Sequence, residues 1–269
     1  MQRPLEGKRA IVIGGGSGIG YGTAELLASD GARVTIAGRR ADVLEAAAAA
    51  LASSTGGDVG WTVCDAMVGD QVGAAVEAAA GDGPGLDLAV VVPGGGSITP
   101  VLRYDDDQFS AEVDRNVRPV FLTLKYAGRA MVRAGGGSFV AVSSTAAAFS
   151  TRYLAGYGAG KAAVDQLVKV AADELGAHGV RVNSVRPGLT ETAATAGAFA
   201  SEAMLAKFLD GQPLRRGGRV DDIASAIRYL LGPESSWVTG QHLAVDGGHT
   251  LRAFVDYAEL LPIPGPLDD

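Results

Sequence analysis

The stretch Ile13-Gly14-Gly15-Gly16-Ser17-Gly18-Ile19-Gly20 decides the fold. It follows the apolar run 9–13, which predicts a strand, and it opens a helix predicted over 18–29. Glycines at such a strand-to-helix turn permit a tight bend and let the backbone approach a pyrophosphate closely. The helix N-terminus then offers free N–H groups and the positive end of a dipole. The turn therefore predicts a dinucleotide-binding βα unit, although in a chain with 39 glycines a merely flexible turn is the alternative.

The same alternation of strand and helix continues along the chain. Further strands are predicted over 33–37, 59–63, 86–92, 138–143, 180–185 and 241–245, and further helices over 42–52, 70–80, 107–134, 157–175 and 221–231. Continuous apolar strands are typical of a parallel sheet covered on both faces. The pattern predicts an α/β fold with a Rossmann-type, doubly wound, seven-stranded parallel sheet in a three-layer αβα single domain.

No linker divides the chain, so we expect one catalytic domain over residues 1–250. The longest interruption, 189–212, is predicted to form a lid over the carboxyl edge of the sheet. Residues 251–269 form a C-terminal tail that holds three prolines and ends in two aspartates, and we expect an arm or a disordered segment.

Composition excludes several classes of function. The 23 basic and 30 acidic residues give a net charge of −7 without a basic run, which argues against a nucleic-acid partner. No apolar run is long enough to span a bilayer, and no signal-peptide layout is present, so no membrane partner is expected. The single cysteine, Cys64, fits a cytoplasmic location. The three histidines are scattered, so no metal site is expected.

The residues that follow the second predicted strand are Gly38-Arg39-Arg40. An acidic residue at this place would accept hydrogen bonds from the adenosine ribose and would repel a 2′-phosphate, whereas arginine pairs with one. The sequence therefore favours NADP(H) over NAD(H), unless both arginines are solvated loop charges.

Tyr157-Gly158-Ala159-Gly160-Lys161 opens the helix predicted over 157–175. An i, i+4 spacing places both side chains on one face. Because a nearby ammonium stabilises a phenolate, we expect Lys161 to lower the pKa of Tyr157, so that the pair exchanges a proton with a substrate oxygen. The spacing also arises by chance, but here it follows a predicted strand that ends in Ser143-Ser144.

In this order, the motifs resemble those of the classical short-chain dehydrogenase/reductase family, over nearly the whole chain from about residue 5 to residue 249. The glycine turn matches the family's Thr-Gly-x-x-x-Gly-x-Gly, with Ile13 in place of threonine. Ser144 precedes Tyr157 by the spacing of the family's catalytic serine. Further matches are Cys64-Asp65, Asn116, Asn183, Pro187-Gly188, Thr190, Thr192, Pro213-Leu214 and Val245-Asp246-Gly247-Gly248.

The resemblance implies hydride transfer between a nicotinamide and a carbonyl or secondary alcohol. In the implied catalytic set, Tyr157 is the general acid or base, Ser144 polarises the substrate oxygen, Lys161 also binds the nicotinamide ribose, and Asn116 holds a water of a proton relay. With the two arginines, the expected cofactor-binding set is Gly14, Ser17, Gly18, Ile19, Gly20, Arg39, Arg40, Asp65, Gly94, Tyr157, Lys161, Pro187, Gly188, Thr190 and Thr192.

One segment departs from the family pattern. Where the family usually has Asn-Asn-Ala-Gly after the fourth strand, this chain has Val91-Val92-Pro93-Gly94. The glycine remains, but the asparagine hydrogen bonds that steady the sheet are lost, so we expect reduced local stability more than altered chemistry.

The predicted lid and the family resemblance also lead to expectations about substrate and assembly. The predicted lid carries six large apolar residues: Leu189, Phe199, Met204, Leu205, Phe208 and Leu209. With Phe149 and Tyr153 they predict an apolar pocket for a hydrophobic carbonyl, such as a thioester-linked acyl chain, or for a cyclic alcohol, unless they only pack the lid on the body. The family implies a homotetramer, or a dimer if the tail blocks one interface.

Two other functions compete with this interpretation. A non-catalytic dinucleotide sensor would typically lose the tyrosine or the lysine. A nucleotide-sugar epimerase or dehydratase would usually carry a longer C-terminal substrate domain.

Overall fold

The computed structural model describes residues 3–252 and 260–262. Within them, seven parallel strands form one sheet in the order β3-β2-β1-β4-β5-β6-β7. The strands are β1 (Arg9–Ile13), β2 (Arg33–Gly38), β3 (Val59–Val63), β4 (Leu88–Val91), β5 (Gly137–Val142), β6 (Val180–Pro187) and β7 (His242–Val245). The predicted doubly wound, seven-stranded parallel sheet is confirmed.

Helices cover both faces of the sheet and give three layers. They are α1 (Gly18–Ser29), α2 (Ala41–Thr55), α3 (Gly69–Ala80), α4 (Asp106–Ala134), α5 (Ala155–Gly176), α6 (Ala196–Ala200), α7 (Glu202–Gly211) and α8 (Val220–Leu231). One buried apolar cluster joins the sheet to α3, α4 and α5, and a second joins it to α1, α2 and α8. Both α6 and α7 lie within the predicted lid segment 189–212.

Alternation of side chains along β1 explains why both faces are covered. Ile11 and Ile13 belong to the first cluster, and Ala10 and Val12 belong to the second. Since successive strand residues point to opposite faces, an apolar run of this kind is stable only between two helical layers.

Predicted and observed boundaries differ by a few residues. Helix α2 runs three residues beyond its predicted end at 52 and ends at Thr55, and it is followed by Gly56, whose φ of +65° suits a residue without a side chain. The strand predicted over 86–92 is shorter, Leu88–Val91. Helix α4 begins after Asp105, whose carboxylate accepts hydrogen bonds from the backbone N–H groups of Asp107 and Gln108.

The strand order reverses between β1 and β4, which are neighbours in the sheet. The segments that follow these two neighbouring strands run to opposite faces of the sheet, so a crevice forms at the carboxyl ends of the strands. In folds of this kind ligands bind in that crevice. The fold therefore places the glycine turn after β1 beside the turn after β4. Most of the predicted tail lies outside the described residues, at 253–259 and 263–269.

Candidate active site

A cavity of about 580 Å³ opens at this reversal point. Its walls are the segments that follow β1, β2, β3 and β4, together with one face of α4. The lining includes Gly14, Ser17, Arg39, Arg40, Asp65 and Gly94 from the expected cofactor-binding set. These six residues lie as much as 80 positions apart in the chain, from Gly14 to Gly94.

Two residues of the glycine turn, Gly20 and Gly14, are poorly suited to carry a side chain. A Cβ at Gly20 would lie 2.2 Å from the carbonyl oxygen of Gly14. Gly14 has a φ of +87°, which favours glycine. The side chain of Ser17, the residue before α1, makes no capping hydrogen bond, so the first N–H groups of α1 are left for another acceptor.

Three guanidinium groups line the cavity. Arg39 and Arg40 come from the end of β2, and Arg115 comes from α4. Among the described residues none of the three has a hydrogen bond or an ion pair with the protein. The carboxylate of Asp65, on the same cavity wall, accepts a hydrogen bond from the N–H of Met67 at 3.0 Å. The cavity therefore carries an excess of positive charge suited to an anionic ligand.

The loop after β6 reaches the glycine turn from the other side. A Cβ at Gly18 would lie 3.5 Å from the methyl carbon of Thr192. Thr190 is buried, and its hydroxyl donates to the carbonyl of Gly188 at 3.1 Å. Pro187 is the last residue of β6. The structure thus places Thr192 against the turn, and it places Thr190 two residues deeper in the same loop.

Lys161 is a buried lysine. Its ammonium donates hydrogen bonds to the carbonyls of Val142 at 2.9 Å and Pro93 at 3.1 Å. Burial lowers the pKa of Lys161 to about 7, because desolvation penalises the ammonium more than the nearby carboxylate of Asp165 stabilises it. Near neutral pH this side chain therefore exists in both protonation states.

Tyr157 lies on the same face of α5. Its ring centroid is 5.6 Å from Nζ of Lys161. Burial raises the pKa of Tyr157, and a hydrogen bond with Ser144 acts in the opposite direction. Desolvation of the hydroxyl is therefore the largest effect on this pKa, and the lowering effect expected of Lys161 stays a prediction.

The two neighbouring serines at the end of β5 have different surroundings. The Ser144 hydroxyl accepts a hydrogen bond from the N–H of Ala146 at 3.1 Å and is hydrogen-bonded to Tyr157. The Ser143 hydroxyl instead donates to the carbonyl of Lys161 at 3.3 Å, inside the protein. Ser144 is thus the serine that shares a polar cluster with Tyr157.

Asn116 lies in α4 beside Gly94. Its amide nitrogen donates to the carbonyls of Gly95 at 3.0 Å and Glu112 at 2.9 Å. Its Oδ1 is buried and has no hydrogen-bond partner among the described residues. A Cβ at Gly94 would lie 2.3 Å from that oxygen and 3.1 Å from Nζ of Lys161. Gly94 is therefore the point where Asn116 and Lys161 approach each other.

Sequence reasoning missed Arg115 and Glu112 in this region. Arg115 directly precedes Asn116 and lines the cavity. Glu112 is one helical turn before Asn116 and is only 1% exposed. A glutamate and an asparagine four residues apart share a helix face. This spacing in the sequence could have indicated that Glu112 lies beside Asn116.

The apolar residues of the predicted pocket do not all meet. Phe208, buried in α7, packs with Tyr153, Leu154, Leu189, Met204 and the segment 260–261. Tyr153 has a φ of +69°, which is uncommon for a residue with a side chain. Phe199 instead lies beside Gly217, whereas Phe149 lines, together with Tyr153 and Leu154, a cavity that Val101 and Leu102 also border.

The described residues contain no group of three or more His, Cys, Asp or Glu side chains that would hold a metal ion. None of the described helices is long and apolar enough to cross a membrane.

The fold and the site together define a nucleotide-dependent oxidoreductase. A family model described as enoyl-(acyl carrier protein) reductase matches residues 14–250. The chain belongs to the short-chain dehydrogenase/reductase family, whose members bind NAD(P). The match makes it an enzyme acting on CH–OH or C=O groups.

Named relatives span the whole domain. A 3-oxoacyl-[acyl-carrier-protein] reductase from Chlamydia muridarum is 33% identical over 248 residues, which cover 92% of this chain and 99% of the relative. The structure of a short-chain type dehydrogenase/reductase from Mycobacterium ulcerans has a TM-score of 0.92 and 40% identity, covering 96% of this chain and 94% of that one. A 7α-hydroxysteroid dehydrogenase complexed with NADH and 7-oxo glycochenodeoxycholic acid has a TM-score of 0.86 and 31% identity, covering 92% and 96%.

Proposed function

We propose that this enzyme moves a hydride between NADP(H) and a carbonyl or secondary alcohol on a hydrophobic substrate. The observation that carries the proposal is the cluster of Ser144, Tyr157 and Lys161 beside a cavity lined by three arginines whose guanidinium groups have no partner among the described residues. The residues present fit a dinucleotide, since the tight glycine turn, the helix N-terminus and the positive cavity suit its phosphates.

Four side chains carry the proposed proton chemistry. Tyr157 gives a proton to the substrate oxygen in reduction and takes it back in oxidation. Ser144, hydrogen-bonded to Tyr157, donates to the same oxygen and stabilises its developing charge. Lys161, with a pKa of about 7, resupplies the proton, and the free Oδ1 of Asn116 orients a relay water. The dinucleotide supplies the hydride itself.

The preference for NADP(H) rests on charge. Three basic side chains, Arg39, Arg40 and Arg115, line the cavity together with one carboxylate, that of Asp65. A guanidinium without a protein partner gains most from an additional phosphate, because charge-assisted hydrogen bonds are the strong ones. The structure of the similar steroid dehydrogenase contains NADH, and that cofactor is a property of the steroid dehydrogenase alone. In this chain we propose Arg39 and Arg40 as readers of the 2′-phosphate.

An apolar cavity beside the start of α5 supports a hydrophobic substrate. Its volume is about 830 Å³, and its lining includes Val101, Leu102, Phe149, Tyr153 and Leu154. Concave, mostly apolar walls of this kind are typical of sites for hydrophobic ligands. Relatives named for acyl and steroid substrates agree with this class, and we propose a hydrophobic ketone or acyl thioester.

We also propose that the enzyme is a homotetramer in the cytoplasm. Phe121 of α4 and Val170 of α5 are about half exposed, and Leu124, Val132 and Leu167 line a cavity of about 480 Å³ between the two helices. An apolar patch of this kind on a folded surface is typical of a protein interface.

The experiment that tests the cofactor and the substrate class is a fluorescence titration with NADPH and NADH, followed by turnover with hydrophobic ketones and acyl thioesters. We expect tighter binding of NADPH and reduction of both substrate types. Tighter binding of NADH would contradict the cofactor assignment. Reduction confined to small polar ketones would contradict the substrate class. Failure to bind either nucleotide would contradict both the proposed function and the sensor alternative, and it would point to the altered turn after β4 as the cause.

A further inference from the structure

Glu112 is a buried acidic residue for which the proposed proton chemistry has no use. It lies in α4, one turn before Asn116, and its side chain is 1% exposed. A carboxylate in such a place is costly unless hydrogen bonds replace the lost water. The hydrogen bonds of Glu112 therefore indicate which part of the structure this buried carboxylate stabilises.

The contacts of Glu112 hold the loop that follows β4. Its Oε2 accepts hydrogen bonds from the Ser97 hydroxyl at 2.6 Å and from the Ser97 N–H at 3.0 Å. Its Oε1 accepts a longer bond from the Tyr104 hydroxyl at 3.4 Å. One side chain thus fixes both the backbone and the side chain of Ser97.

The same carboxylate lies against the start of α5. A Cβ at Gly96 would be 3.1 Å from Oε1 of Glu112 and 2.7 Å from Cβ of Tyr157. A Cβ at Gly156 would be 3.2 Å from Oε1 as well. Glu112 is therefore packed between the loop and the helical turn that carries Tyr157.

The loop in turn holds two members of the proposed relay. The carbonyl of Pro93 accepts from Lys161, and the carbonyl of Gly95 accepts from Asn116. Gly94 and Gly95 have φ values of +113° and +145°. Consecutive glycines have large backbone freedom, so the loop needs an external restraint to keep its carbonyls in place.

We propose that Glu112 is a positioning residue that acts on proton transfer through Ser97 and the Pro93–Gly95 carbonyls. It supplies from α4 a restraint on the loop that follows β4. This inference rests on the proposed roles of Tyr157, Lys161 and Asn116.

The first test is hydrogen exchange in the Glu112→Ala variant without substrate. We expect the peptide over 93–98 to exchange at least about tenfold faster than in the wild type, because the Ser97 N–H loses its acceptor. Asp114→Ala is the matched control, since this exposed acid on the same helix pairs only with Arg118 at 3.7 Å. Unchanged exchange in Glu112→Ala would overturn the proposal.

The second test is kinetic. We expect Glu112→Ala to lower kcat roughly 10- to 100-fold, the scale of a small displacement of catalytic groups. The solvent deuterium isotope effect on kcat should rise, because a displaced relay makes proton transfer more rate-limiting. A variant that had only lost folded protein would show a lower kcat with an unchanged isotope effect, and that result would overturn the proposal.

Two more variants separate the possible failures. Glu112→Gln keeps an acceptor oxygen for Ser97 and should recover kcat to within about threefold of wild type, since one neutral hydrogen bond remains. Tyr157→Phe reports on the proposed function itself. A dead Tyr157→Phe with a fully active Glu112→Ala would refute only the role of Glu112, whereas an active Tyr157→Phe would refute the proposed chemistry.

Discussion

The ammonium of Lys161 donates a hydrogen bond to the carbonyl of Pro93 at 3.1 Å, so a residue of the proposed relay also supports the turn after β4. The usual asparagine motif is replaced there by Val91-Val92-Pro93-Gly94, and the sequence predicted a weakened turn. Four side chains from α4 and α5 bond to this loop: Lys161, Asn116, Glu112 and Gln108. A displacement of this loop would therefore also displace Lys161 and Asn116 of the proposed proton relay.

Replacing Gly94 tests this coupling. Gly94→Ala would place a Cβ 2.3 Å from Oδ1 of Asn116 at a φ of +113°, whereas a Cβ at Gly95 meets nothing within 4 Å. We expect Gly95→Ala to cost about 1 kcal/mol in backbone strain and Gly94→Ala about 2–4 kcal/mol, because overlap adds to strain. Chemical denaturation measures both, and equal losses would contradict the close approach.

Removing the hydroxyl of Tyr157 tests the proton donor. Tyr157→Phe should lower kcat by at least about 10³-fold while NADPH affinity stays within about threefold, since general acid catalysis contributes on this scale. Tyr229→Phe, which removes a hydroxyl from a half-exposed tyrosine on α8, is the control and should retain activity. Appreciable turnover by Tyr157→Phe would remove this residue from the mechanism.

The buried lysine predicts a pH dependence of stability. The pKa of Lys161 is about 7 in the folded protein, against about 10.4 in an unfolded chain. Between these values the unfolded chain binds more protons, so the free energy of unfolding should rise with pH, by at most about 1.4 kcal/mol per unit. Below about pH 7 both states are protonated and this contribution is constant.

Denaturation of wild type and Lys161→Met across about pH 6 to 9 measures the effect. The other titrating groups are common to both proteins, so the difference between the two curves isolates Lys161. We expect Lys161→Met to be the more stable protein at low pH and to lose that advantage as pH rises. Parallel curves would show that the lysine titrates normally.

Arg39 tests the assignment of the phosphate. Arg39→Ala should weaken NADPH binding about 10- to 100-fold and NADH binding less than about threefold, as expected for one charge-assisted contact. Arg33→Ala is the control, because Arg33 lies on the same strand and pairs with Asp58 at the surface. Equal losses for both nucleotides would mean that Arg39 contacts a part they share.

The sequence predicted the sheet and the helix that carries Tyr157 and Lys161 because both depend on local pattern. Strand and helix periods fixed the order of elements, and the spacing of Tyr157 and Lys161 placed them on one face of α5. The sequence did not predict the pKa values, since burial sets both of them. Glu112 was missed for the same reason: its role depends on Ser97, which only the folded loop brings close.

The apolar face formed by α4 and α5 predicts assembly. Phe121 and Val170 are about half exposed on it, and charges there would be desolvated if a second copy covered them. We expect light scattering to give a tetramer for the wild type and a smaller species for the double variant Phe121→Glu/Val170→Glu. Val63→Glu is the control, because Val63 is equally exposed on the edge strand β3, far along the sheet from α5. A monomeric wild type, or a double variant that stays tetrameric, would show that this face is not the interface.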